Sequence, residues 1–182
     1  MKIRILGITW PSDAPELTGA GFTLLMRSKK SEHSNVGGRA KTVGSKLIND
    51  MVNIYSWLDE RIKSFASPET CFGCGRCCDY ENFGHRIFIT TPEILYLQNA
   101  IDDGKLVKDF KISTGKCPFL AGGTCSVRDF RFGPCRIFFC KSSARWQNDL
   151  TEEFLGKVKQ LCIDKNIEYR YVDISMAFEN FL

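Results

Sequence analysis

The chain has 182 residues, enough for one domain with a real core and too short for two of ordinary size. Its 43% hydrophobic and 25% charged content is that of a globular protein, and no apolar run approaches the about 18 residues that a membrane-spanning helix needs, so such a span is excluded. The formal charge of +4 treats all nine cysteines as neutral; eight thiolates holding two divalent metals would contribute a net −4 and cancel it, so the basic excess gives no clear nucleic-acid signature.

In chain order, Ile3 to Trp10 and Gly21 to Met26 are short apolar runs that each read as a strand. Arg4 interrupts the apolar start and Asp13 follows soon after, which makes a poor signal peptide. The expected location is therefore the cytoplasm, where clustered cysteines are metal ligands or redox thiols rather than a disulfide framework. Arg27 to Lys41 is polar, basic and glycine-bearing and reads as a flexible linker; Gly38 to Lys46 lacks the residue order of a phosphate-binding loop. Residues 1–40 are expected to be an N-terminal extension with that linker, and 41–182 a cysteine-cluster metal-binding domain.

From Thr42, Val43, Leu47, Met51, Ile54, Tyr55, Leu58, Ile62 and Phe65 recur by threes and fours, which predicts an amphipathic helix stopped by Ser67-Pro68. Arg86 to Thr90 reads as a short strand. In Thr91-Pro92-Glu93 threonine is the expected N-cap, proline the first helical residue and glutamate the first-turn acid, with Asp103-Gly104 closing the helix. Residues 111 to 141 read mostly as turns, with little regular periodicity. A second long helix is expected from Ser143 to Lys165 with Asn166 as terminator, then a strand over Tyr169 to Ile174 and an apolar tail that docks back. The fold class is α+β: a small single domain in which two or three amphipathic helices frame an irregular cysteine-rich metal-binding centre, with a few short strands.

The chemistry-bearing pattern is Cys71-Phe72-Gly73-Cys74-Gly75-Arg76-Cys77-Cys78, followed by Cys117, Cys125, Cys135 and Cys140. Two intervening residues let both sulfurs of a C-x-x-C pair face one ion, and Gly73 and Gly75 free the backbone for that turn. Cys71, Cys74 and Cys77 repeat the spacing twice, as in the run that holds an iron–sulfur cluster in bacterial-type ferredoxins, with a remote cysteine completing the set. Adjacent side chains point apart in extended or turning backbone, so Cys77 and Cys78 are expected to serve two neighbouring sites or a polynuclear one. An iron–sulfur cluster is placed slightly ahead of zinc because the triple spacing is more ferredoxin-like than zinc-ribbon-like. Cys162 reads as a small buried hydrophobe, His85 as structural, and Arg76, Arg128, Arg131, Arg136, Lys141 and Arg145 as charge compensation for thiolates.

The C-x-x-C-x-x-C-C run, Ile87 to Ile94, Cys117-Pro118-Phe119-Leu120, Gly123-Thr124-Cys125-Ser126-Val127 and Arg131 to Cys140 together resemble the YkgJ-like or CxxCxxCC cysteine-cluster family over residues 66 to 175. The resemblance implies a zinc- or iron-chelating domain with these eight cysteines as ligands. A related cluster accompanies methyl transfer in flagellin lysine methylases, which leaves an enzyme using the cluster as an accessory as one alternative. A zinc-stabilised interaction module with the same ligands is the other. This chain shows no S-adenosylmethionine loop after a strand. Partner and substrate are not written in the residues.

Overall fold

A computed structural model describes residues 37–65, 73–107, 115–138 and 144–179. The two strands expected before residue 27 lie outside them, as do Cys71 and Cys140. The chain divides into compact units 1–46 and 47–182, and all nine cysteines belong to the second.

The frame is helical. Helix α1 (Gly37–Phe65) begins upstream of Thr42, so Gly37 to Lys41, expected in the linker, are helical. Arg39, Ala40 and Lys41 are good helix formers, and extending an existing helix costs far less than starting one. Its stripe buries Leu47, Met51, Tyr55 and Leu58, each contributing about 2 kcal/mol by burial, whereas Phe65 stays exposed. Helix α5 (Ala144–Lys165) answers with Leu150, Phe154, Leu155, Val158, Leu161 and Cys162 buried. The two run antiparallel. Asp50 pairs with Lys165, Lys157 lies over the Trp57 ring, Arg61 pairs with Glu153, and Phe65 stacks on Trp146, so positions ascend on one helix as they descend on the other. Asn166 ends α5 in the left-handed conformation at φ 54°, as its position suggests.

Strand β1 (Phe88–Thr90) pairs antiparallel with β4 (Tyr171–Asp173), Ile89 opposite Val172. Helix α3 (Thr91–Asp102) follows β1 directly, and its N-cap is Thr90, one residue earlier than expected. The shift has a physical reason: the Glu93 carboxylate reaches back to the Thr90 N–H at 2.8 Å and the Thr90 hydroxyl at 2.7 Å, the glutamate arm of a capping box. The tail forms helix α6 (Ile174–Glu179), whose Ala177 and Phe178 are buried.

The region expected as turns contains more order than that. Strands β2 (Leu120–Ala121) and β3 (Thr124–Cys125) make a hairpin around Gly122-Gly123, both at positive φ, and helix α4 (Gly133–Ile137) carries Cys135. A short 3-10 turn, Arg76–Cys78, leads into helix α2 (Tyr80–Phe83). The described residues thus form a small α+β fold with two small antiparallel sheets. Among them no helix is long and apolar enough to cross a membrane.

Two polar groups join the frame to the turns. Glu93, fully buried, also accepts from the Gly133 N–H of α4 at 2.7 Å and from the Tyr55 hydroxyl of α1 at 3.3 Å. Burial pushes its carboxyl above the usual range, while the four donors favour the carboxylate. Arg136 on α4 is bidentate on Asp59 of α1 at 2.8 and 3.1 Å, lies over the Tyr55 ring, and donates to the carbonyls of Arg131 and Asp129. Its guanidinium is thereby committed to structure.

Candidate metal centre

The cysteine-bearing turns meet one wall of a core cluster built from β1, α3, α6 and the loops between them. Cys78 and Cys117 belong to this cluster beside Tyr80, Ile89, Phe119, Phe132 and Phe178, and Cys77, Cys125 and Cys135 pack against it. Phe119 and Phe178 meet edge to face at 5.1 Å, and Phe119 and Phe132 lie tilted at 6.2 Å, which gives the sulfurs a dry aromatic backing.

Local backbone explains the convergence. Gly73 and Gly75 both sit at φ 69°, the left-handed region that the C-x-x-C turns were expected to need. Gly75 also lies against the Gly123 carbonyl, so the first cysteine loop and the β2–β3 hairpin touch through backbone where no side chain would fit. Asp79 and Lys116 form an isolated antiparallel bridge, and the Cys117 N–H donates to the Cys78 carbonyl at 2.7 Å, which sets Cys78 and Cys117 directly opposite each other.

The sulfurs follow from that backbone. Cys78 lies in hydrogen-bonding reach of both Cys77 and Cys117. Cys77 and Cys78, expected to point apart even in a turn, do not: in the tight 3-10 turn they occupy, the two sulfurs interact. The Cys78 thiol draws Cys77 down to about 6 against the opposing effect of burial, with the charge of His85 helping, and draws Cys117 down to about 7. Cys78 itself is pushed up by those two neighbours and by burial, and so holds its proton between two thiolate-prone sulfurs. Backbone N–H groups reinforce the pattern, Phe119 toward Cys117 and Val127 toward Cys125, each two residues beyond its sulfur. Burial raises Cys125 and, with the charge of Cys117, Cys77 and Cys125, raises Cys135 further.

The eight expected ligands are therefore treated unequally. Cys77, Cys78, Cys117, Cys125 and Cys135 are gathered; Cys74 is solvent-exposed and not among the interacting sulfurs; Cys71 and Cys140 lie outside the described residues. The described cysteines are all free thiols. Cys162 stands apart on α5, 1% exposed and pushed to about 11 by burial alone. His85 donates its Nε2–H to the Cys77 carbonyl at 2.8 Å and stacks on Phe138 at 5.5 Å, a bracing role. Arg131 donates to the Cys135 carbonyl at 3.3 Å and favours the Cys77 thiolate by its charge.

No family model, curated protein or solved structure matches the chain. What the site can do rests on its own chemistry. Among the described residues no three His, Cys, Asp or Glu side chains are arranged to hold a metal ion. Five sulfurs are nonetheless clustered there, Cys77 and Cys117 drawn toward the thiolate, and Cys78, Cys125 and Cys135 pushed up by neighbouring sulfurs and by burial. A bound cation reverses those penalties, since it favours every thiolate at once. The buried Tyr80 hydroxyl lies among these sulfurs, nearest in effect to Cys117.

Two residues of this neighbourhood escape a reading of the sequence. Glu93 looks like a first-turn acid, and its carboxylate instead ties three elements together. Tyr80 carries no motif at all; only the Cys-Cys pair just before it marks the spot.

Proposed function

We propose that this chain is a metal-binding protein whose cysteines hold an iron–sulfur cluster. Cys77, Cys78, Cys117, Cys125 and Cys135 supply the inner ligands, and Cys71, Cys74 and Cys140 the remaining donors. The observation that carries this reading is the gathering of five free thiols at the core wall, with Cys77 and Cys117 drawn toward the thiolate by a shared Cys78. Supporting it are the resemblance to the cysteine-cluster family and the doubled C-x-x-C spacing. An adjacent Cys77-Cys78 pair also suits a polynuclear centre better than one tetrahedral ion. Thiols that remain free suit a reducing compartment such as the cytoplasm.

Anaerobic purification of the full chain tests it, with iron, zinc and acid-labile sulfide measured together with visible absorbance. Iron and sulfide in matching amounts, in a coloured protein, are expected. Colourless protein with stoichiometric zinc and no sulfide overturns the cluster and leaves a thiolate zinc centre. Metal-free protein in which all nine cysteines react freely with a thiol reagent overturns the centre itself.

A further inference from the structure

A short antiparallel contact joins the end of the first cysteine run to the start of the second group. The Cys117 N–H donates to the Cys78 carbonyl at 2.7 Å, Asp79 and Lys116 form the bridge, and the Glu81 N–H donates to the Gly115 carbonyl at 2.9 Å. In that register Cys78 and Cys117 are directly opposite residues, which send their side chains to the same face with Cα atoms about 4.5–5.5 Å apart. A disulfide needs Cα atoms about 4.4–6.8 Å apart. Both residues are free thiols, each 6% exposed, and both belong to the same buried cluster. Among the described cysteines this is the one pair that backbone pairing sets face to face: Leu120 is the partner of Cys125 in the β2–β3 hairpin, and Cys135 and Cys162 sit on helices α4 and α5. Closing a bond between Cys78 and Cys117 therefore asks for side-chain rotation and no movement of the chain.

We infer that Cys78 and Cys117 are a redox-sensitive pair, closed to a reversible disulfide by a small-molecule disulfide of the glutathione type. One protein sulfur attacks the oxidant as its thiolate, the oxidant's S–S bond breaks, and one small thiol leaves with a proton. The second protein sulfur then displaces the other small thiol from the mixed disulfide. Cys78 and Cys117 together give up two electrons and two protons, and the oxidant is reduced to two thiols. Because the pair is covered, the exchange follows local opening of the short antiparallel contact. A reducing compartment keeps the thiols free and an oxidising shift closes them, pinning the two cysteine-bearing segments together. The inference goes beyond the metal reading and does not need it; where a metal is held, closing the bond withdraws two of its proposed ligands.

The test uses the full chain, as isolated and again after a chelator has removed metal under reductant. Each sample is equilibrated in glutathione buffers from fully reduced to fully oxidised, quenched with acid, alkylated in denaturant and mapped by mass spectrometry without reduction. A peptide joining Cys78 to Cys117 is expected as the dominant linkage, with both free thiols lost together and both recovered when reduced glutathione is restored. The same oxidation of the urea-unfolded chain is the control. There short loops close most easily, so linkages are expected to scatter among Cys71, Cys74, Cys77 and Cys78. Cys78 and Cys117 still free in both preparations at the most oxidising ratio, or Cys78 joined chiefly to another cysteine, overturns the pair. An equal preference for Cys78–Cys117 in urea overturns it too, since the fold would then not be directing it. Protein isolated without metal that forms the link overturns the metal reading and leaves the pair standing; metal-loaded protein whose chelated form gives no link overturns the pair and leaves the centre standing.

Discussion

The helical frame and the cysteine-bearing turns are held together by different physics. In the frame, α1 and α5 present apolar stripes to each other, and a buried residue such as Leu58, Met51 or Val158 contributes through area removed from water, whatever its exact neighbours. In the turns, order rests on points: Gly75 against the Gly123 carbonyl, the Asp79–Lys116 bridge, and the Arg136 and Glu93 staples back to the frame. An area-based region loses stability in proportion to what is removed. A point-based one fails at one residue.

Phe154→Ala should show the first kind of failure and the largest effect. The ring is fully buried, stacks on Tyr55 with centroids 6.2 Å apart, and packs directly on Gly133, where even a methyl group would collide with it. Truncation is expected to cost about 3–5 kcal/mol, read as a shift of the whole urea transition with helices and metal lost together. A loss below about 1 kcal/mol would mean that the frame is not area-driven.

Gly75→Ala should show the second kind. The residue sits at φ 69°, which costs a side chain about 1–2 kcal/mol, and the added methyl would meet the Gly123 carbonyl and the Leu120 side chain. With overpacking of about 1–3 kcal/mol, the total is on the order of 3 kcal/mol, confined to the turns. Metal content should fall while far-UV helical signal stays. Joint loss of both would erase the distinction between the two regions.

The same division governs how much of the molecule is legible in its residues. The stripe of α1, the end of α5 at Asn166 and the strand around Val172 are written in periodicity and cap chemistry, which depend on neighbours in sequence. The Gly122-Gly123 hairpin is also readable in principle, since two glycines between short runs favour a tight turn with positive φ at both positions, yet the cysteines on either side read more strongly as ligands than as strand ends. What no local rule supplies is contact across the chain. Cys78 faces Cys117 at a separation of 39, beside the Asp79–Lys116 bridge, and Glu93 meets Gly133 at a separation of 40. The gathering of Cys77, Cys78, Cys117, Cys125 and Cys135 can be guessed from spacing, but not the sharing of Cys78 between two sulfurs, nor the exposure of Cys74.

Cys162 sharpens the comparison by pH. It belongs to the frame, and burial alone pushes its thiol from the ordinary 9.0 to about 11. Between those values the folded chain keeps a proton that the unfolded chain has lost, so a contribution fully present below pH 9 is lost as pH rises toward 11. A difference of that size corresponds to about 2–3 kcal/mol. Wild type should thus lose stability relative to Cys162→Ala across this window, with metal content unchanged in the variant at neutral pH. Parallel stability profiles would remove Cys162 from the frame's titrating groups, and metal loss in the variant would make it a ligand.

The smallest effect should come from Arg61→Ala, and its smallness is informative. Arg61 pairs with Glu153 at 3.1 Å and lies 4.9 Å over the Phe65 ring, so it touches both helices of the frame. The pair is open to water, with side chains 38% and 46% exposed, where screening and lost side-chain entropy offset most of the Coulomb attraction. The expected cost is below about 1 kcal/mol and should shrink further in high salt. A loss above about 2 kcal/mol would place the α1–α5 interface among point-held structures, because burial of Leu58 and Phe154 beside it would then be contributing less than one exposed ion pair.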